Sequence, residues 1–130
     1  MGNATTPAAT ETGRASAPPD IATVRATVRP LLAADADEPA PAELAKVTAT
    51  LREHIAGLLP VVEDLTRTLP TDDVPRACAL ACIGEARMRL RLGDGDNATV
   101  RLSVAVRLAR TANALADHHQ TLSPTTRRTS

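Results

Sequence analysis

Eight aliphatic residues, Leu44, Val47, Leu51, Ile55, Leu58, Val62, Leu65 and Leu69, recur at intervals of 3, 4, 4, 3, 4, 3 and 4. On a helical wheel they fall within an arc of about 80°, with Lys46, Arg52, Glu53, Glu63, Asp64 and Arg67 outside it. The stretch from Pro41 to Leu69 therefore reads as one amphipathic helix, roughly 43 Å long at 1.5 Å per residue. Gly57 and Pro60 fall in its middle. Because the stripe keeps its phase across Pro60, the spacing predicts a kinked helix and not two separate ones. Alternating strand patterns are absent, so the cover for this stripe must come from other helices.

Three such helices are legible. Asp20 is placed to cap a first one, whose stripe is Ile21, Val24, Val28, Leu31 and Leu32, with Pro30 predicting a kink or an early end. An acidic connection, Asp35 to Glu38 with Pro39 and Pro41, leads into the long helix. Pro70, Thr71, Asp72 and Asp73 stop that helix and cap the next, which accepts Pro75 in its first turn and runs to about Leu92. After a turn at Gly93-Asp94-Gly95-Asp96-Asn97, the last helix reaches about His119. It carries Ala105, Leu108, Ala112, Leu115 and Ala116 on one face, small enough for close helix approach. Short connections favour an all-α, four-helix antiparallel bundle. Leu, Ile and Val make up only 27 of 130 residues, near the ~20% floor for a packed chain, so the core is modest. The expected packed domain is 20–120, with disordered tails at 1–19 and 121–130, where Pro, Thr, Ser and Ala offer nothing to offset the entropy of ordering.

The chain has no Phe, Tyr or Trp. That removes base stacking on such rings, aromatic cages and interfacial aromatic belts from the possible functions. No apolar run reaches the ~18 residues of a membrane span, and the first nineteen residues lack the apolar segment of a secretory signal. A cytoplasmic protein is expected, with Cys78 and Cys82 reduced. Met1-Gly2-Asn3-Ala4-Thr5-Thr6 matches a myristoylation pattern, and Asn3-Ala4-Thr5 and Asn97-Ala98-Thr99 match glycosylation acceptors. All three read as coincidences of short patterns.

Charge is unevenly spread although the total is zero. Residues 1–75 carry 6 basic and 11 acidic side chains, and residues 76–130 carry 9 and 4. Complementarity within the bundle, or between two copies, is the simplest use of that asymmetry. Cys78, Cys82, Glu85 and Arg89 follow a 4, 3, 4 spacing that reads as a core stripe with a charged lower half, with Arg76, Arg87 and Arg91 opposite. Either Glu85 and Arg89 line a polar interior with the thiols, or the helix leaves the core there and the two form an exposed i,i+4 pair. The candidate functional patch is Arg76, Cys78, Cys82, Glu85, Arg89 and His54. No metal is expected, since CxxxC is not a zinc spacing, and the Asp94 loop puts Thr99 and Ala105 where a calcium loop needs Gly and Glu. His118 and His119 suit a helix C-terminus. No nucleophile–base signature and no cofactor motif occurs.

The block Asp72-Asp73-Val74-Pro75-Arg76-Ala77-Cys78-Ala79-Leu80-Ala81-Cys82-Ile83-Gly84-Glu85-Ala86-Arg87 resembles a family of small actinomycete proteins of unknown function, commonly labelled natural product biosynthesis proteins. Leu51-Arg52-Glu53-His54-Ile55 and Arg107-Leu108-Ala109-Arg110-Thr111-Ala112-Asn113-Ala114-Leu115 share the resemblance, which covers about residues 20–120. It implies a setting in specialised metabolism and no particular reaction. The leading expectation is a non-catalytic accessory or interaction protein that binds a protein partner or a second copy of itself, with no membrane and no cofactor. The alternative is a small ligand-binding protein or enzyme with a pocket bordered by Glu85 and Cys82. A third reading, a DNA-binding regulator, requires Arg76, Arg87, Arg91 and Arg107 on one exposed surface, and the acidic turn and zero net charge weigh against nucleic acid.

Overall fold

A computed structural model describes residues 20–124. Four helices follow in order: α1 (Ile21–Leu32), α2 (Pro41–Arg67), α3 (Val74–Arg91) and α4 (Ala98–Leu122). The chain is an all-α, four-helix antiparallel bundle with no strand among the described residues. The expected tail at 1–19, and residues 125–130 of the one expected at 121–130, lie outside the described residues.

Each local stop and start has a cause in the sequence. The Asp20 carboxylate accepts from the Ala22 and Thr23 amides at 3.1 and 3.4 Å. Asp73 accepts from the Arg76 amide at 2.9 Å, and Asn97 from the Val100 amide at 2.9 Å. These side chains satisfy donors that the first turn of a helix leaves open. α2 is continuous through Pro60. Pro60 and Ala56 are both exposed, so the Ala56 carbonyl that loses its partner to the proline ring faces water. Pro30 likewise sits inside α1, two residues before its end.

Neighbouring helices are antiparallel. Arg52 of α2 reaches the C-terminal end of α3, while Arg76 at the start of α3 reaches Thr66 near the end of α2. Arg25 of α1 meets Asn113 and Asp117 of α4. α2 and α4 therefore run parallel, and they form the most extensive contact in the molecule, with α1 and α3 against opposite sides of the pair. Ala105, Ala109, Ala112 and Ala116, all fully buried, let these two helices approach closely. Leu51, Ile55, Leu58 and Val62 of α2 and Leu108 and Leu115 of α4 fill the centre. α1 adds Val24 and Val28.

Two expectations need correction. α4 continues past His119 to Leu122, whose side chain is 2% exposed within the core, so packing extends beyond residue 120. The buried face of α3 is Ala79, Ile83 and Ala86, not the Cys78, Cys82, Glu85, Arg89 row. At 3.6 residues per turn the two rows lie about 100° apart round the helix.

Candidate functional site

The α3 row that sequence spacing placed in the core instead faces a groove between α3 and α4. Cys82, Glu85 and Arg89 line it from α3, and Arg107, Arg110, Thr111 and Ala114 from α4, around a volume of about 600 Å³. The α3 residues share a face by their 3 and 4 spacing, and the α4 residues do so for the same reason. Glu85 is exposed and accepts from Arg89 Nη2 at 3.1 Å, an i,i+4 pair. Exposed pairs of this kind contribute a few tenths of a kcal/mol. The pair is thus exposed while the helix itself stays packed through Ala86, and a groove bordered by Glu85 and Cys82 is also present. Arg89 Nε is buried and has no hydrogen-bond partner. Burial, then the negative charges of Glu85 and Asp117, push the Cys82 thiol up to about 11. At neutral pH it is a protonated, weakly reactive thiol. No histidine lines the groove, so no base stands ready to activate it. The set of groups present, three guanidiniums and one carboxylate, is suited to holding an anion.

The other candidate residues lie elsewhere. Cys78 is exposed and outside the groove lining. Arg76 turns towards α2, donating Nε to the Thr66 carbonyl at 3.1 Å, and thereby closes the C-terminal turn of that helix. His54 is half-buried against α1, with Nε2 3.0 Å from Thr27 Oγ1. The Thr27 hydroxyl is also within donating reach of the Thr23 carbonyl at 3.1 Å, so the Nε2-protonated tautomer of His54 is the one that lets both contacts form together. Burial holds the imidazole below its ordinary value, opposed by Glu53. This is a packing role, on the side of the bundle away from α3.

The arginines do not form one surface. Arg87 pairs with Glu63 of α2 at 2.8 Å, Arg76 also faces α2, and Arg107 faces the groove. Sequence reasoning missed Arg110 and Thr111 as members of the site. One signal was available, though Arg101 outside the groove shares it: neither Arg107 nor Arg110 has an acidic residue three or four positions away in its helix.

A second recess of about 210 Å³ lies between the N-terminal ends of α2 and α4, with Pro39, Pro41, Leu44, Thr48 and Ala98 among its lining. No three of the His, Cys, Asp and Glu side chains converge on a metal position among the described residues, and no described helix is long and apolar enough to cross a membrane.

No curated protein and no solved structure matches the chain. The pattern of one family, described as a family of unknown function (DUF6415), matches residues 22–124, and the chain belongs to that family.

Proposed function

We propose that the protein is a non-catalytic helical interaction protein of the cytoplasm whose working surface is the outer face of α3. The observation that carries this reading is an apolar row opposite the buried one. Ala77, Ala81, Gly84 and Met88 follow each other at 4, 3 and 4, flanked by Leu80 and Leu92, and all six are exposed. Met88 is 47% and Leu92 53% exposed. α3 is thus apolar on two faces, and the outer one has no cover among the described residues. Apolar rows of this kind are commonly interaction sites.

The partner that fits best is a second copy. The N-terminal half of the row is small (Ala77, Ala81) and its C-terminal half is large (Met88, Leu92). A two-fold axis near the middle of α3 sets each large half over the partner's small half, the self-complementarity an isologous contact requires. The resemblance seen in the sequence supports placing this activity in natural product biosynthesis, in an accessory role.

Light scattering after size-exclusion chromatography tests the reading. A dimer is expected for the protein and a monomer for Gly84→Glu. Nothing lies within 4 Å of a Cβ added at Gly84, which is exposed, and Glu has the higher helix propensity by several tenths of a kcal/mol. The monomer's fold is therefore expected to survive the change, which circular dichroism checks. A strict monomer at high concentration rejects the second copy as partner.

A further inference from the structure

We propose that the groove between α3 and α4 binds the phosphate group of a small, non-aromatic phosphate ester. This surface is separate from the outer face of α3, and its chemistry is independent of any contact made there.

Most arginines of the bundle are already engaged. Arg25, Arg52, Arg67, Arg87 and Arg89 have carboxylate partners, while Arg76 and Arg101 donate to backbone carbonyls. Among the described residues Arg29, Arg91, Arg107 and Arg110 have neither, and of these Arg107 and Arg110 line the same groove. Arg89 joins them from the facing helix, with Glu85 occupying only one of its nitrogens. Its Nε is a buried donor without an acceptor, an arrangement that costs desolvation and that an incoming oxyanion improves as the side chain adjusts. Three guanidiniums against Glu85 leave the groove lining two charges positive, the match for a phosphate monoester dianion. The nearby Asp117 is paired to Arg25. Guanidinium forks bond pairs of phosphate oxygens. Three forks from two helices suit the three terminal oxygens of a phosphate better than the two of a carboxylate.

The rest of the lining fixes the class of the ester. Cys82, Thr111 and Ala114 are small and uncharged, and at neutral pH the Cys82 thiol adds no negative charge to repel the ligand. A volume of about 600 Å³ has room for a phosphate and a short carbon body. The chain has no Phe, Tyr or Trp and no histidine lines the groove, so no side-chain ring stands there to stack on a nucleobase. An aliphatic phosphate ester is the ligand these groups recognise.

The test is calorimetric titration of the full chain with glycerol 3-phosphate and, separately, inorganic phosphate, at an ionic strength held constant with chloride. Saturable binding of the ester is expected, with a dissociation constant on the order of 1 mM, and weaker binding of inorganic phosphate, which lacks the carbon body. Arg107→Gln together with Arg110→Gln is expected to weaken ester binding at least about tenfold. Both side chains are exposed, so the unliganded melting temperature should not change, and circular dichroism checks this. No saturable binding, or unchanged affinity in the double variant, overturns the site. Inorganic phosphate binding as tightly as the ester overturns the assignment to an ester.

Discussion

Arg52 closes the C-terminal end of a helix to which it does not belong. From the middle of α2, its Nη2 donates to the Leu92 carbonyl at 2.9 Å and to Asp94 Oδ1 at 2.6 Å. Nε reaches the same carboxylate at 3.0 Å, and Nη1 lies 3.4 Å from the Arg89 and Leu90 carbonyls. The last carbonyls of α3 have no partners within the helix, and one guanidinium serves several of them. Arg52→Ala removes all of these bonds together. A bond to a charged donor contributes about 1.5–3 kcal/mol when well sheltered, but this end of α3 is partly open to water, which takes over some of the carbonyls. A net loss of about 2 kcal/mol follows, or about 10 °C in melting temperature for a domain of this size. Asp94→Asn removes only the exposed ion pair and should cost about 0.5 kcal/mol. Arg52→Lys keeps the charge but loses the fork, and should fall between the two. Urea unfolding followed by circular dichroism measures all three. A loss below about 0.5 kcal/mol for Arg52→Ala, or equal losses for Arg52→Ala and Asp94→Asn, refutes the account of Arg52 as a cap on α3.

Gly95 has a φ of +110°, and an added Cβ would collide with Val100 Cγ1; Gly95→Ala should cost about 1–3 kcal/mol, while Gly93→Ala, with nothing within 4 Å, should be neutral in the same denaturation assay. His54 has a folded pKa below its ordinary 6.5, so the unfolded chain takes the proton first. Its contribution is complete above pH 6.5 and declines as pH falls through the folded value, a slope that His54→Gln should remove from a plot of melting temperature against pH. Iodoacetamide at mildly alkaline pH should alkylate exposed Cys78 at least about tenfold faster than Cys82, whose thiol burial and nearby acids hold it in the protonated form; equal rates by mass spectrometry contradict this. Hydrogen exchange should find the α3 amides opening before those of α2 and α4, because Ile83 is the one large side chain α3 buries fully among the described residues.

What the sequence revealed depended on how local the cause was. The α2 stripe was legible because eight large aliphatic residues at helical spacing admit one face, and Leu51, Ile55, Leu58 and Val62 are all fully buried. The capping roles of Asp20 and Asp73 were legible because a cap bonds the turn beside it. α3 misled because its buried face is marked by Ala79, Ile83 and Ala86, two of them too small to stand out. The neighbouring row of thiols and charges has the same 4, 3 rhythm. Arg76 looked functional, and Arg52 went unselected, for one shared reason: their partners are carbonyls of other helices, which no spacing rule reveals. The groove required two helices to be placed side by side. Its α4 half, Arg107 and Arg110, lacks acidic neighbours in the helix, but so does Arg101, which lies outside the groove.

α3 explains why these difficulties gather in one helix. Round its circumference it presents Ala79, Ile83 and Ala86 to the core, Cys82, Glu85 and Arg89 to the groove, and Ala77, Ala81, Gly84 and Met88 to solvent. A helix with one buried stripe has a clear hydrophobic side, whereas one divided among three surroundings does not. Its small core residues give little hydrophobic attachment, since burying an alanine removes far less apolar area than burying a leucine. The attachment to α2 is polar instead: Arg52 at one end, Arg76 at the other, and Arg87 with Glu63 between them. Polar contacts at fixed points set the rotation of α3 about its axis, which bulky core residues would otherwise do. That rotation decides which row faces α4 and which faces solvent. Losing Arg76 or Arg52 therefore threatens the groove and the outer face together, although neither arginine lies in the groove.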